Sequence, residues 1–319
     1  MSYTPRIATQ TLATIAAHLE RDQGAAFRRH LRHLMPQAED AYRDEEDAFR
    51  SHLGASLIGR ECARELWYSF RWTTKPSFEG RMIRLFNRGH LEEPRMVALL
   101  LMIGCTVWQF DEEGNQFRIK GHKGHFGGGM DGVILGIPEI PDEPVLGEFK
   151  THNDKSFQKL KGDGVREAKF EHYVQMQMYM GKNGFRWALY MAVNKNDDEL
   201  YAELVAFDQV TYDRFLDRSA MVIDAVEPPP RINNSPGWYK CKFCDFSPVC
   251  HGAAMPEKNC RTCRWSTPVD GGKWVCENPK VIEVLKEQGY HDDQWELTKE
   301  AQLRGCDDYE LHPLIKAKQ

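Results

Sequence analysis

The sequence predicts an α/β protein in which a mixed sheet is flanked by helices and followed by a cysteine-rich, metal-binding C-terminal tail. Three observations carry this. Apolar residues recur at helical spacing in residues 1 to about 50 and again from 78 to 103, and short β-type runs punctuated by Gly and Pro alternate with helical stretches from residue 106 to 226. Seven of the nine cysteines lie between Cys241 and Cys306.

A chain of 319 residues is long enough for about two domains at roughly 150 residues each. Hydrophobic residues at 41% and charged residues at 28% are globular values and exclude disorder as the main theme. The longest nearly apolar run, Met96 to Trp108, spans 13 residues, too short for a membrane span of about 18 or more. The segment Thr11 to Leu19 is mildly apolar and is followed by Glu20, Arg21 and Asp22 without a cleavage site, so no secretory signal is expected and the address is cytoplasmic. Reducing conditions there make thiols available to metals rather than to disulfides. The net charge of −5 offers no global attraction for nucleic acid, which leaves local patches and metal ions to hold it.

Each element follows in order. Ile7, Leu12, Ile15, Ala16 and Leu19, then Phe27, Leu31 and Leu34, predict two or three helices before the acidic stretch Asp44 to Asp47. Met82, Ile83, Leu85, Phe86, Val97, Leu100 and Leu101 predict a helix over 78–103, with Pro94 expected to kink or restart it. His90 and Glu93, three apart, share a face. Strands are expected at 106–110, 116–122, 130–135 and 145–150, with the glycines 127–129 as a turn. A helix over 165–180, strands at 185–193 and 200–207, and a helix over 210–226 complete the regular region before Pro228 to Pro230.

The chemistry centres on Asp131, followed 17 residues later by Glu148-Phe149-Lys150 on the next strand. Alternation puts Glu148 and Lys150 on one face and Phe149 on the other. Two carboxylates can hold a hard divalent cation through oxygen. A lysine beside them can orient water and stabilise developing negative charge, which is what phosphodiester hydrolysis requires.

These residues resemble the PD-(D/E)XK nucleases, in the RecB-like exonuclease branch. Asp131 takes the place of the family's Asp, and Glu148-Phe149-Lys150 that of its E-x-K. Gly89-His90-Leu91-Glu92-Glu93 is similar to the preceding helical motif, in which a His or Glu adds a metal ligand. Gln175-Met176-Gln177-Met178-Tyr179 is similar to the Q-x-x-x-Y motif of the following helix. The resemblance implies a restriction-endonuclease-like fold, Mg²⁺ or Mn²⁺ on Asp131, Glu148, His90 and Glu93, a catalytic Lys150, and DNA as substrate. Glu93 is preferred over Glu92 because it shares the face of His90.

Cys241, Cys244 and Cys250 place three thiolates in a short loop, and Cys62 is the candidate fourth ligand. One cysteine ahead of the nuclease core and C-x2-C-x5-C behind it resemble the iron–sulfur members of this branch, such as the AddB-type and CRISPR-associated exonucleases. The resemblance implies a [4Fe–4S] cluster that clamps the two ends; zinc on the same four residues and a free, buried Cys62 are the alternatives. Cys260, Cys263 and Cys276 form a second set outside the family's region. Cys306 could complete a zinc site there, with His291 or His312 as alternatives.

Between Arg60 and Arg88, seven basic residues face three acids and are interleaved with Trp67, Tyr68, Phe70 and Trp72. That pattern suits a single strand or a frayed end. The expected division is a helical region over 1–54, a nuclease domain over 55–251 and a zinc-binding tail over 252–319. The expected function is metal-dependent DNA hydrolysis, as an exonuclease in recombination, repair or viral genome processing, with recombination or repair proteins as partners and no membrane. The alternative is a catalytically silent DNA-binding or recombination-partner module of the same fold.

Overall fold

The computed structural model describes residues 3–40, 49–292 and 294–315, so the acidic stretch Asp44 to Asp47 lies outside the described residues. The elements run α1 (Thr9–Asp22), α2 (Ala25–Asp40), β1 (Leu53–Gly54), α3 (Ala63–Phe70), α4 (Gly80–Met102), β2 (Thr106–Trp108), β3 (Arg118–Gly121), β4 (Phe126–Gly129), β5 (Gly132–Leu135) and β6 (Val145–His152). They continue α5 (Asp154–Ala168), α6 (Phe170–Asn183), β7 (Trp187–Asn194), β8 (Leu200–Ala206), α7 (Gln209–Asp224), α8 (Tyr239–Lys242) and α9 (Ser247–Cys250). The last are β9 (Ser266–Val269), β10 (Lys273–Cys276), α10 (Pro279–Glu287), β11 (Trp295–Leu297) and α11 (Lys299–Arg304).

The chain forms two compact units, each drawn from separated segments. Met1–Glu46, Phe78–Ile119 and Gly128–Phe215 make the first; Asp47–Ser77, Lys120–Gly127 and Leu216–Gln319 make the second. This cuts the chain differently from the linear division at 54 and 251.

The first unit is built on a five-stranded sheet in the order β2-β5-β6-β7-β8, antiparallel except for the parallel β6–β7 pair. One face is apolar. Ile15 of α1, Met96, Val97 and Leu100 of α4, Phe149 of β6 and Met191 of β7 bury together there. The alternate residues of β6 face the other side, where α5 and α6 pack against the sheet. Pro94 does not break α4, which runs unbroken across it; the buried proline gives up one backbone donor while its neighbours from 96 to 102 stay packed in the core.

The expected single helix over 165–180 is two, α5 and α6, separated at Lys169. The Asn153 side chain caps α5 by accepting from Ser156 N at 2.9 Å, a start signal that the basic, Gly-containing segment concealed. Gly127 to Gly129 belong to strand β4 rather than to a turn, and β4 pairs in parallel with β1 through Leu53–Phe126 and Gly54–Gly127.

The second unit holds α3 and the antiparallel sheet β11-β10-β9. Its core includes Trp67, Tyr68, Phe70, Trp72 and Trp274, none more than 1% exposed. Among the described residues no helix is long and apolar enough to cross a membrane.

Candidate active site

Strand β6 aims the site. Glu148 and Lys150 alternate to the face opposite the apolar core, and Phe149 anchors the strand in that core. Asp131 stands just ahead of β5, whose Gly132 is in register with Gly147 of β6. Its Oδ2 accepts a 2.8 Å hydrogen bond from the Phe149 amide, which fixes the carboxylate between Glu148 and Lys150. Lys150 Nζ lies 3.6 Å from that same oxygen and in ion-pair contact with Glu148 Oε1. Gln109 Nε2 donates to the Asp131 carbonyl at 3.3 Å, a contact no motif announced.

Glu148 is fully buried, with the Lys150 ammonium on its Oε1. A buried carboxylate is costly unless a cation answers it. Burial raises its pKa to about 7, with Asp131 adding to the rise and Lys150 opposing it. Glu93 on α4 is likewise pushed up to about 7, by burial first and then by the charge of Asp131. Burial disfavours the Lys150 ammonium, but Glu148 and Asp131 outweigh it and hold its pKa above the ordinary value. Three carboxyl groups share the site with one ammonium, and the raised proton affinity of Glu148 and Glu93 is what crowded, buried carboxyls show before a cation offsets them.

The remaining motif residues divide into near and far. Tyr179 is buried beside the carboxylates, and burial followed by Glu148 and Asp131 raises its pKa. Gln175 Nε2 donates to Tyr179 Oη at 3.4 Å. His90 sits at the rim with 62% of its side chain exposed, and its Nδ1 is 3.8 Å from Glu93 Oε1. Among the described residues no three His, Cys, Asp or Glu side chains are drawn close enough to hold a metal ion as they stand; between Asp131 and Glu148 it is Lys150 Nζ that makes the contacts.

Sequence reading missed a second layer. His152 is the next same-face residue on β6, and its Nε2 lies 2.9 Å from Tyr190 Oη. His172 Nδ1 on α6 is also 2.9 Å from that hydroxyl. Tyr190 faces Glu148 across the parallel β6–β7 register. Alternation could have found His152, whereas Tyr190 and His172 reach the site only through strand pairing and helix docking.

The structure is similar to that of an alkaline exonuclease, LHK-Exo, from Laribacter hongkongensis, in two structures of which one is a complex with dAMP. Each has a TM-score of 0.38 and 16% identity over 54% of this chain and 86% of the other. It is also similar to SSO0001, with a TM-score of 0.35 and 15% identity over 72% of this chain and 96% of the other. No family model matches the sequence, and no curated protein matches it significantly. Likenesses this distant carry no functional weight; what the chain can do is read from its own side chains.

Proposed function

We propose that the chain is a metal-dependent DNA nuclease, acting as an exonuclease in recombination, repair or viral genome processing. One observation supports this reading: Asp131 and Glu148 contact Lys150, and Glu93 lies within electrostatic reach of Asp131 and Lys150. The donor set is all carboxylate oxygen, which suits Mg²⁺ or Mn²⁺. Asp131, Glu148 and Glu93 would hold the ion, which would neutralise the scissile phosphate. Lys150 orients the attacking water and stabilises charge gathering on phosphorus oxygens as the P–O bond breaks. Tyr179 and Gln175 line the same face, and His90, at the rim beside Glu93, would complete the ligand set.

The aromatics expected to stack on bases, Trp67, Tyr68, Phe70 and Trp72, are core residues and unavailable. The exposed alternatives are on or beside the N-terminal half of α4: Phe78, Ile83 and Phe86 are 51%, 56% and 42% exposed. The Phe78 and Phe86 rings meet edge to face at 5.0 Å. Arg81, Arg84 and Arg88 accompany them on the helix that ends its exposed stretch at His90 and Glu93. Aromatic faces with interleaved arginines suit a single strand or frayed end led to the carboxylates.

For Cys62, Cys241, Cys244 and Cys250 we propose a [4Fe–4S] cluster with a structural role. Cys62 is the N-cap of α3, and burial followed by the neighbouring Cys62 and Cys250 raises the Cys241 thiol pKa. Cys244 also lies within electrostatic reach of Cys62. Thiols this distant in sequence yet within electrostatic reach of one another support a four-thiolate group; iron analysis of anaerobically purified protein tests it.

End-labelled single- and double-stranded DNA incubated with Mn²⁺ or Mg²⁺ tests the nuclease. Degradation that stops in EDTA is expected. A folded chain that binds DNA but cleaves neither substrate overturns the nuclease reading in favour of the silent binding module.

A further inference from the structure

The C-terminal part of the second unit carries four cysteines that the nuclease chemistry does not use. They come from three places. Cys260 and Cys263 flank a 3-10 turn closed by the Cys263 N to Cys260 O hydrogen bond at 3.0 Å and begun by an Asn259–Thr262 capping box. Cys276 ends β10, held in register with Ser266 on β9 and Trp295 on β11. Cys306 follows α11 through Gly305, whose φ of +65° favours a residue without a side chain.

All four cysteine side chains line one small cavity. The backbone amides of Asn278 and Asp308 donate to the sulfurs of Cys276 and Cys306, each from two residues downstream. Neither His291 nor His312 lines the cavity; His312 packs its ring against Trp67, and its Nδ1 accepts from the Leu314 amide.

We propose that Cys260, Cys263, Cys276 and Cys306 bind one zinc ion as a structural site, and that this site holds the turn that seats Arg261. Four cysteines carried by one turn, one strand end and the end of one helix supply the number and kind of ligands that structural zinc takes. Arg261 projects from that turn and is 1% exposed. Its guanidinium lies 3.7 Å from the Trp72 ring centroid and 4.7 Å from that of Trp274. It donates to Gln302 Oε1 at 2.9 Å, Phe70 O at 3.1 Å and Ser51 O at 2.9 Å. Trp72 takes a left-handed backbone (φ 55°) to complete the cage, and its Nε1 donates to Arg50 O at 2.7 Å.

A buried cation answered only by carbonyls and ring faces is stable where the chain on both sides of it is fixed. The cysteines on either side of Arg261 provide that fixing once they share an ion. Zinc therefore secures residues 51 and 70–72 as well as the C-terminal segment, although about 190 residues of sequence separate them.

The test is elemental analysis of the full chain, joined to cobalt substitution. About one zinc per chain is expected, and cobalt in its place should show the intense thiolate-to-metal charge-transfer absorption of a four-sulfur site. Cys276→Ser and Cys306→Ser should lose the zinc, whereas Cys105→Ser, His291→Ala and His312→Ala should keep it. Should the serine variants fail to fold, a mercurial titration of wild-type protein reads the same point: zinc should be released together with a change in tryptophan fluorescence from Trp72 and Trp274. Wild-type protein that holds no zinc and takes up no cobalt, zinc that follows Cys62 and Cys241 instead, or iron bound at these four residues each overturns the proposal. None of these readouts depends on DNA cleavage, so failure here is distinct from failure of the nuclease reading.

Discussion

The two units solve the problem of burying charge in opposite ways. In the first, Lys150 is buried against Glu148 and Asp131, and the excess of carboxylate leaves the pocket asking for a cation. In the second, Arg261 is buried with no carboxylate among its hydrogen-bond partners within the described residues and is satisfied by carbonyls, an amide oxygen and aromatic faces. A charge imbalance is useful where ligand and substrate must enter; a charge quenched by fixed dipoles is useful where nothing should move. The first arrangement suits the proposed reactive site, the second a staple.

The sharpest way to break the comparison is at Lys150. Lys150→Ala should lower the cleavage rate on the order of 10²–10³-fold while DNA affinity changes little, because the lost interaction belongs to the transition state. Single-turnover rates and fluorescence anisotropy on one labelled oligonucleotide separate the two effects. Near-normal turnover would make Lys150 a structural ion pair like any other. Asp131→Ala and Glu148→Ala should be similarly inactive, and the double variant little worse, since a shared ion site fails as a unit.

In the second unit, Arg261→Ala should cost about 3 kcal/mol of unfolding free energy, since it opens a cavity and strands three acceptors. Urea denaturation followed by tryptophan fluorescence measures it, and an unchanged midpoint would remove the staple.

A smaller effect comes from the imidazoles beside the reactive site. Burial, then the charge of Lys169, lowers the His152 pKa to about 4; burial, then Lys150, lowers that of His172 further. Both are neutral when folded, so the unfolded chain binds more protons below its pKa of about 6.5 and stability falls as pH falls. The loss should reach about 1–2 kcal/mol per imidazole by pH 5. Urea melts at pH 7.5 and 5 should show a flatter dependence in His172→Phe than in wild type; equal slopes would place the protonation elsewhere.

The smallest expected effect is at the exposed helix. Phe86→Ala should weaken binding of a single-stranded oligonucleotide by about fivefold, near 1 kcal/mol. Unaltered affinity in EDTA, where no strand is cut, would move the DNA path off α4.

Where chemistry depends on neighbours in sequence, the sequence was readable. The E-x-K run needs only strand alternation to put Glu148 and Lys150 on one face, and a glycine-flanked Asp131 needs only one more strand pairing to join them. The C-x2-C pairs are legible for the same reason. The aromatic-rich stretch from Trp67 to Trp72 misled, because Trp and Arg side chains look alike in sequence whether they meet bases or each other. The helix α5 was hidden by its lysines and glycines and revealed by its Asn153 cap.

The sequence by itself therefore determined the α/β class, the shared face of Glu148 and Lys150 and the grouping of the C-terminal cysteines, since period-2 alternation and short spacings are local properties of a chain. Only the tertiary structure decided that Tyr190 and His172 back the site, that Arg261 closes on Trp72 and Trp274, and that Cys306 rather than a histidine joins Cys260, Cys263 and Cys276 around one cavity. Those meetings depend on which strands pair and which surfaces bury, and burial is a property of the whole fold that no local pattern encodes.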